Sequence, residues 1–386
     1  MQKTVRLFDE SSSIKAFDAT VLSCERRDGG NFAVILDKTA FFPNEGGQAC
    51  DKGLLSGLEV ISVDEESGVI THTVSGELSV GESVRGEIEF AERFRKMQNH
   101  TAEHIVSGII HSLFGFANVG FHLGDGYMTA DFDGELSADD VRRVETLANK
   151  AIFECRAVRA YYPSREELTS LEYRSKLELS EGVRVVEIEG VDKCACCAPH
   201  VENTGEVGLL KIVEAIRYKG GMRLTMMAGY DALEDYRERC AQIRRVSMAI
   251  SSPQGEIAEG VERLLEDISA LKGQISRLKR ERLERLLSSL EESEGSICVF
   301  EELEDMTALR NFVNEAVNKT GRVCAVFSGD DESGYKYIMA SNSVDLRAKS
   351  RDINTVLCGK GGGSSVMIQG SCTAKREEIE RYILGM

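Results

Sequence analysis

No run of apolar residues in this chain reaches the roughly 18 that a membrane-crossing helix needs. The opening residues, Met1-Gln2-Lys3-Thr4-Val5-Arg6, have no signal-peptide pattern. Tryptophan is absent, so no site can use an indole, and there are only four prolines to interrupt helical patterns. Positive charge is in deficit: 47 Lys and Arg face 64 Asp and Glu, a net charge of −17. That argues against a general nucleic-acid coat, because phosphate binding needs a local positive field, yet it leaves room for a local basic strip. Arg277, Lys279, Arg280, Arg282 and Arg285 form one, diluted by Glu281 and Glu284; Lys211, Arg217, Lys219 and Arg223 form another. Each reads equally well as a solvated face of mixed charge. Eleven cysteines without a secretion signal point to reduced thiols, a cytoplasmic home and some use as ligands.

Histidine is also scarce, with six in all, and three of the six fall in two short motifs. His100 and His104 are one helical turn apart, so both imidazoles share a helix face and can point at one ion. Cys196-x-x-x-His200 follows about ninety residues later. Three nitrogens and one sulfur match the number and softness of a tetrahedral zinc site. The bland alternatives are a solvated or core His pair and inert buried thiols in Cys194-Ala195-Cys196-Cys197, of which Cys194 or Cys197 is a rival ligand. His100-x-x-Glu103-His104 also fits the H-x-x-E-H spacing of inverzincin metalloproteases, with Glu103 as general base. The H-E-x-x-H order is excluded because Thr101 follows the first His.

At 386 residues the chain should divide into two or three domains. Its 42% hydrophobic and 29% charged residues are ordinary for a soluble globular protein. The patterning predicts an α+β fold in four parts. Residues 1–88 read as a small β-barrel: Ala19 to Cys24 and Phe32 to Leu36 flank Asp28-Gly29-Gly30, and Leu58 to Val63 and Val69 to Val74 flank Glu65-Glu66-Ser67-Gly68. Residues 89–232 read as helices on an antiparallel sheet. Met97, Ile105, Ile109, Ile110 and Leu113 make an apolar stripe, and Ser137 to Asp140 resembles a capping box before a second helix. Strands are expected near Val183 to Ile188 and Val207 to Val213. Residues 233–290 read as a long helix broken near Pro253. Ile257, Val261, Leu264, Ile268, Leu271, Ile275 and Leu278 keep heptad spacing there, which fits a coiled-coil dimer seam or packing within the chain. Residues 291–386 read as an α/β unit with strands Ile297 to Phe300 and Val323 to Phe327, a helix Met306 to Asn318, a glycine run from Gly359 and a terminal helix from Ala374. The run Gly359-Lys360-Gly361-Gly362-Gly363 suits either a flexible turn or an anion-binding nest; it lacks Walker and Rossmann spacing.

The paired motifs resemble the zinc signature of the alanyl-tRNA editing proteins, the AlaX family, and of the editing domain of alanyl-tRNA synthetase. Thr39-Ala40-Phe41-Phe42-Pro43-Asn44-Glu45-Gly46-Gly47-Gln48, with Asp51 and Gly53, is similar to the family's glycine-rich segment. Arg95 to His104 matches the run into the first zinc pair, and Asn203-Thr204-Gly205-Glu206-Val207-Gly208 resembles the segment after the second. Gly361 to Ser365, with Met367, Gln369 and Gly370, looks like the DHH-associated C-terminal domain of the long form. The resemblance covers nearly the whole chain, without an aminoacylation core or a DHH phosphoesterase core. One departure stands out: the family usually has Gly-Gly-Thr where this chain has Cys197-Ala198-Pro199.

The resemblance implies hydrolysis in trans of the ester on mischarged tRNA(Ala), serine chiefly, with removal of glycine left open and one Zn2+ per chain held by His100, His104, Cys196 and His200. Serine and alanine differ by one hydroxyl. A pocket built to hydrogen-bond that hydroxyl rejects the analogue lacking it, because its polar groups are left unpaired. Thr39 and Gln48 are the expected readers of the hydroxyl. Glu45 is a candidate general base beside Glu103. Gly46, Gly47 and Asp51 are expected to line the substrate. Lys360, Gly361, Gly362, Arg277 and Arg280 are the expected tRNA contacts, and the coiled coil or the C-terminal domain is expected to make a homodimer. The competing reading is a non-catalytic tRNA-binding or assembly module with structural zinc.

Overall fold

Strict alternation builds the first sheet. Val69–Val74 and Ser83–Ile88 bury every second side chain, which commits one face of each strand to a core and the other toward water. In the computed structural model these strands belong to a closed barrel, in the order Ala16–Arg26, Phe32–Leu36, Val69–Val74, Leu58–Glu66, Gly53–Leu55, Ser83–Ile88. The structure describes residues 3–175, 182–303 and 305–386. Register shifts at Val21/Ser23 and Val60/Ser62 bend the barrel walls. Val34, Leu36, Phe41, Phe42, Leu55 and Val63 fill the interior. A short parallel pairing, Val5–Arg6 with Lys38–Thr39, leads into the glycine-rich segment.

The helix Phe90–Phe114 follows, uninterrupted by proline and closed by Gly115 in the left-handed conformation (φ 73°). It packs on the helix Ala138–Phe153, whose Ser137 and Asp140 form a reciprocal capping box. Both lie against an antiparallel sheet ordered Leu210–Tyr218, Gly221–Ala228, Met128–Phe132, Asn118–Leu123. A smaller sheet, Val158–Tyr161, Val185–Ile188, Asp192–Ala195, carries the cysteine motif at its last strand. The sequence reading placed the strand near 207 too early: Thr204–Val207 is a 3-10 turn, and the strand begins at Leu210. It also passed over Asn118–Leu123, Met128–Phe132 and Gly221–Ala228. Asn118–Leu123 and Met128–Phe132 form a local hairpin, but Met128–Phe132 also pairs with Gly221–Ala228 far along the chain, and that pairing no local pattern encodes.

Two compact units result, Met1–Ile243 and Arg244–Met386, dividing inside the helix Gly229–Ala249. The second unit holds the helix Ile257–Ser289 and a five-stranded sheet, Ile297–Phe300, Val323–Asp330, Gly334–Ser341, Met367–Cys372, Gly359–Gly363. Only the first pair is parallel. The helices Met306–Ala316, Leu346–Val356 and Arg376–Leu384 complete this unit. The glycine run is neither a turn nor a nest. It is an extended edge strand, and Gly361 pairs with Gly370 beside Tyr337, where a Cβ on Gly361 would stand 2.0 Å from the phenol oxygen. Small size is needed there for close packing, so the glycines do not serve a left-handed bend. Along the long helix Leu264, Ile268, Leu271, Ile275 and Leu278 are exposed. Among the described residues no helix is long and apolar enough to cross a membrane.

Candidate metal centre

The helix Phe90–Phe114 presents His100 and His104 from one face, both buried. The loop after Asp192–Ala195 brings Cys196 and His200 to the same point. Arg184 secures that loop by donating to the carbonyls of Cys196 (3.1 Å) and Ala198 (2.8 Å), and Ser12 donates to the His200 carbonyl (2.7 Å). Ala198 is wholly buried in the barrel core, so the departure at Cys197-Ala198-Pro199 keeps a small apolar plug between the two ligands. The ligand atoms of His100, His104, Cys196 and His200 all lie within 4.8 Å of one another. Cys196 Sγ is 3.6 Å from His100 Nε2 and 3.3 Å from His200 Nε2.

Each imidazole is held from behind. His100 Nδ1 donates to Gln48 Oε1 (3.0 Å), His104 Nδ1 to Asp192 Oδ2 (3.2 Å) and His200 Nδ1 to Thr101 Oγ1 (3.0 Å). These partners direct all three Nε2 atoms toward the centre, the outer shell that a metal-binding histidine usually has. Asp192 is itself clamped by Arg174 (2.7 and 2.8 Å). Gly108 makes this possible: a Cβ there would stand 2.6 Å from the Val191 carbonyl oxygen, so only glycine lets the Asp192 strand come this close to the helix.

At Cys196 and His200 the electrostatics suit metal binding. Burial would raise the Cys196 thiol, but the adjacent His100 and His200 bring it well below its ordinary value, favouring thiolate. Burial pushes His200 down to about 3, so it stays neutral and able to donate a lone pair. Burial lowers His104 too, but its bond to Asp192 more than offsets this and holds it well above its ordinary value. Cys197, by contrast, is pushed up by burial and faces Glu45 and Gly46. Cys194 groups instead with His104 and Asp192. Among the described residues no glutamate joins either ligand group, which leaves the protease-like H-x-x-E-H spacing without its third ligand.

A cavity of about 470 Å³ opens beside the centre, bordered by His100, Glu103, His104, Cys196, Glu45 and Gly46. Glu45 is half-exposed and lies 3.5 Å from Arg6. Gly46 and Gly47 take positive φ (63° and 82°), and the Gly47 carbonyl accepts from Leu123 N–H, docking the segment on the sheet edge. Gln48 is 2% exposed; its carbonyl oxygen faces His100 while its amide nitrogen has no partner. Thr39 is fully buried and does not border the cavity. Its hydroxyl donates to His72 Nε2 (2.8 Å) and accepts from Phe41 N–H (3.1 Å). Asp51 is buried away from the cavity and takes the Arg93 guanidinium (Nε, 3.1 Å) and Phe42 N–H (2.6 Å). In the second unit Arg277 and Arg280 lie 3.6 Å from Glu281 and Glu284, while Lys360 is exposed on the edge strand with Gly361 and Gly362. Sequence reasoning missed Asp192, Arg174 and Thr101. Their roles depend on strand and helix meeting in space, and the lone glycine at 108 was the one local signal.

Two family models match: "Threonyl and Alanyl tRNA synthetase second additional domain" at residues 183–226, and "tRNA synthetases class II (A)" at residues 5–92. An alanine–tRNA ligase from Ignicoccus hospitalis is 30% identical over 98% of this chain and 42% of its own length. One from Pyrococcus abyssi is 28% identical over 99% of this chain and 44% of its own. This chain thus spans less than half the length of those ligases. The alanyl-tRNA editing protein AlaX-L from Pyrococcus horikoshii is 26% identical over 97% of this chain and 96% of its own length.

Proposed function

Because this chain is a homologue of the alanyl-tRNA editing protein AlaX-L along almost its whole length, we propose that it is a trans-acting deacylase that hydrolyses the ester of mischarged tRNA(Ala), seryl-tRNA(Ala) above all. The observation that carries this reading is the convergence of His100, His104, Cys196 and His200 on one point beside a cavity. Three imidazole nitrogens and a thiolate suit Zn2+, and each imidazole already has its other nitrogen occupied. When bound, zinc would supply Lewis acidity to an ester carbonyl or a water molecule.

The chain's own residues do the rest. Gln48 sits behind the centre and does not itself border the cavity: its oxygen fixes His100, and its unpartnered amide nitrogen is the donor proposed for a serine hydroxyl. Thr39 contributes through the hydroxyl that fixes Phe41 and, with it, the course of the glycine-rich segment. Gly46 and Gly47 allow the backbone to approach the ester, and Glu45 stands at the mouth to hold or accept a proton. Asp51 anchors the segment through Arg93. Lys360 and the Arg277 and Arg280 strip take tRNA phosphates, and the exposed heptad face pairs two copies.

A second reading has one observation in its favour. Four side-chain ligands make a closed set, as structural zinc sites do, which fits a tRNA-binding module without catalysis. One assay decides: zinc-loaded protein with Ser-, Gly- and Ala-tRNA(Ala), with and without chelator. Zinc-dependent loss of the seryl ester, sparing the alanyl ester, supports the deacylase; binding without cleavage supports the module. If Gln48→Ala cleaves Ser-tRNA(Ala) at the wild-type rate and gains no Ala-tRNA(Ala) cleavage, Gln48 does not read serine; if Thr39→Val does the same, its bond to Phe41 does not set the segment's course.

A further inference from the structure

We infer that Glu103 binds the α-ammonium group of the aminoacyl ester, so that the cavity accepts esters of free amino acids and rejects those whose amino group is acylated. The inference rests on the deacylase reading and adds a specificity-determining residue to it. Glu103 precedes the ligand His104 on its helix, is 5% exposed and borders the cavity. Its Oε1 accepts from the Ser107 hydroxyl and the Asn118 amide, which lock the side chain. Its Oε2 has no hydrogen-bond donor among the described residues and lies 4.0 Å from His104 Nε2, the nitrogen that faces the centre.

A carboxylate only 5% exposed, with one oxygen that lacks a protein donor and faces the cavity, favours a cation or donor that reaches it there. The cations bordering the same cavity are already matched: Arg6 by Asp9, Glu45 and Glu65, Arg174 by Asp192, and Arg184 by Asp9 and two carbonyls. Glu45 faces Arg6. Glu103 is the bordering carboxylate left without an Arg or Lys at ion-pair distance among the described residues. An aminoacyl ester brings one full positive charge, its ammonium, separated from the scissile carbonyl carbon by the α-carbon alone. A carboxylate one short contact from the centre therefore lies where that ammonium comes to rest when the carbonyl is at the centre. Acylation removes the charge and two of three donors, which would leave the buried carboxylate unpaired, and a site built for a polar group discriminates strongly on that ground.

The test uses the zinc-loaded full chain and two non-hydrolysable probes, 3′-(L-seryl)amino-3′-deoxyadenosine and its N-acetyl form, titrated calorimetrically. Ser-tRNA(Ala) and N-acetyl-Ser-tRNA(Ala) are assayed for cleavage alongside. The free-amine probe is expected to bind about ten- to a hundredfold tighter than the N-acetyl probe. Glu103→Gln keeps the shape and the Oε1 contacts; it should abolish that preference while leaving the N-acetyl affinity and the zinc per chain unchanged. Equal affinity of wild type for both probes, with Ser-tRNA(Ala) still cleaved, overturns the inference and spares the deacylase reading, and it needs no variant to fold. Equal weakening of both probes in Glu103→Gln, or loss of its zinc, also overturns it, pointing to a proton-transfer or ligand role. Failure of wild type to bind either probe or cleave any mischarged tRNA(Ala) removes both proposals.

Discussion

Asp192 shows how much a residue outside the ligand set decides. Its two oxygens join His104 to Arg174, so Asp192→Asn should leave the ligands in place yet weaken zinc binding by about 10- to 100-fold, as read by chelator competition. His72 carries a different consequence. Burial pushes it down to about 4 from an ordinary 6.5, and it is neutral while accepting the Thr39 hydroxyl. The unfolded chain takes up this proton first as pH falls. The stability tied to a neutral His72 is therefore complete above pH 6.5 and is lost as the pH drops toward 4. Between pH 7 and pH 5 the loss should be about 2 kcal/mol in urea titrations, and His72→Gln should flatten that slope.

Two helical glycines make a comparison at the scale of elements. Gly108 faces the Val191 carbonyl at a distance no Cβ tolerates, whereas Gly273 on the long helix has nothing within 4 Å of an added Cβ. Gly108→Ala should push the Asp192 strand off the helix, costing about 1–3 kcal/mol and lowering zinc affinity. Gly273→Ala should instead stabilise its helix by about 0.5–1 kcal/mol. Thermal unfolding of the two variants checks both signs. The edge strand Gly359–Gly363 supplies a second prediction: Lys360→Glu should flatten the salt dependence of tRNA binding by about one unit of slope, and Arg277→Glu likewise, if each meets a phosphate.

For the molecule as a whole, the ligand set ties parts of one unit far apart in sequence: the helix Phe90–Phe114, the loop behind Asp192–Ala195, and, through Gln48, the barrel segment. Zinc at a hundred times its dissociation constant should stabilise that unit by about 2.7 kcal/mol. Chelation should therefore speed hydrogen exchange across Met1–Ile243, leaving the core strands Val323–Asp330 and Gly334–Ser341 of the second unit unaffected.

The cluster of His100, His104, Cys196 and His200 was legible from the chain alone because a helix turn fixes the spacing of His100 and His104, and a short loop fixes that of Cys196 and His200. Helices such as Phe90–Phe114 and Ala138–Phe153, and strands such as Val69–Val74, were legible for the same reason: their periods are local. What only the tertiary structure decided is which groups meet across distance. It buried Thr39 against His72, turned Gln48 toward His100, set Asp192 behind His104, and flattened the glycine run into a strand against Tyr337. Those outcomes depend on packing between elements far apart in sequence, and no local period records such contacts.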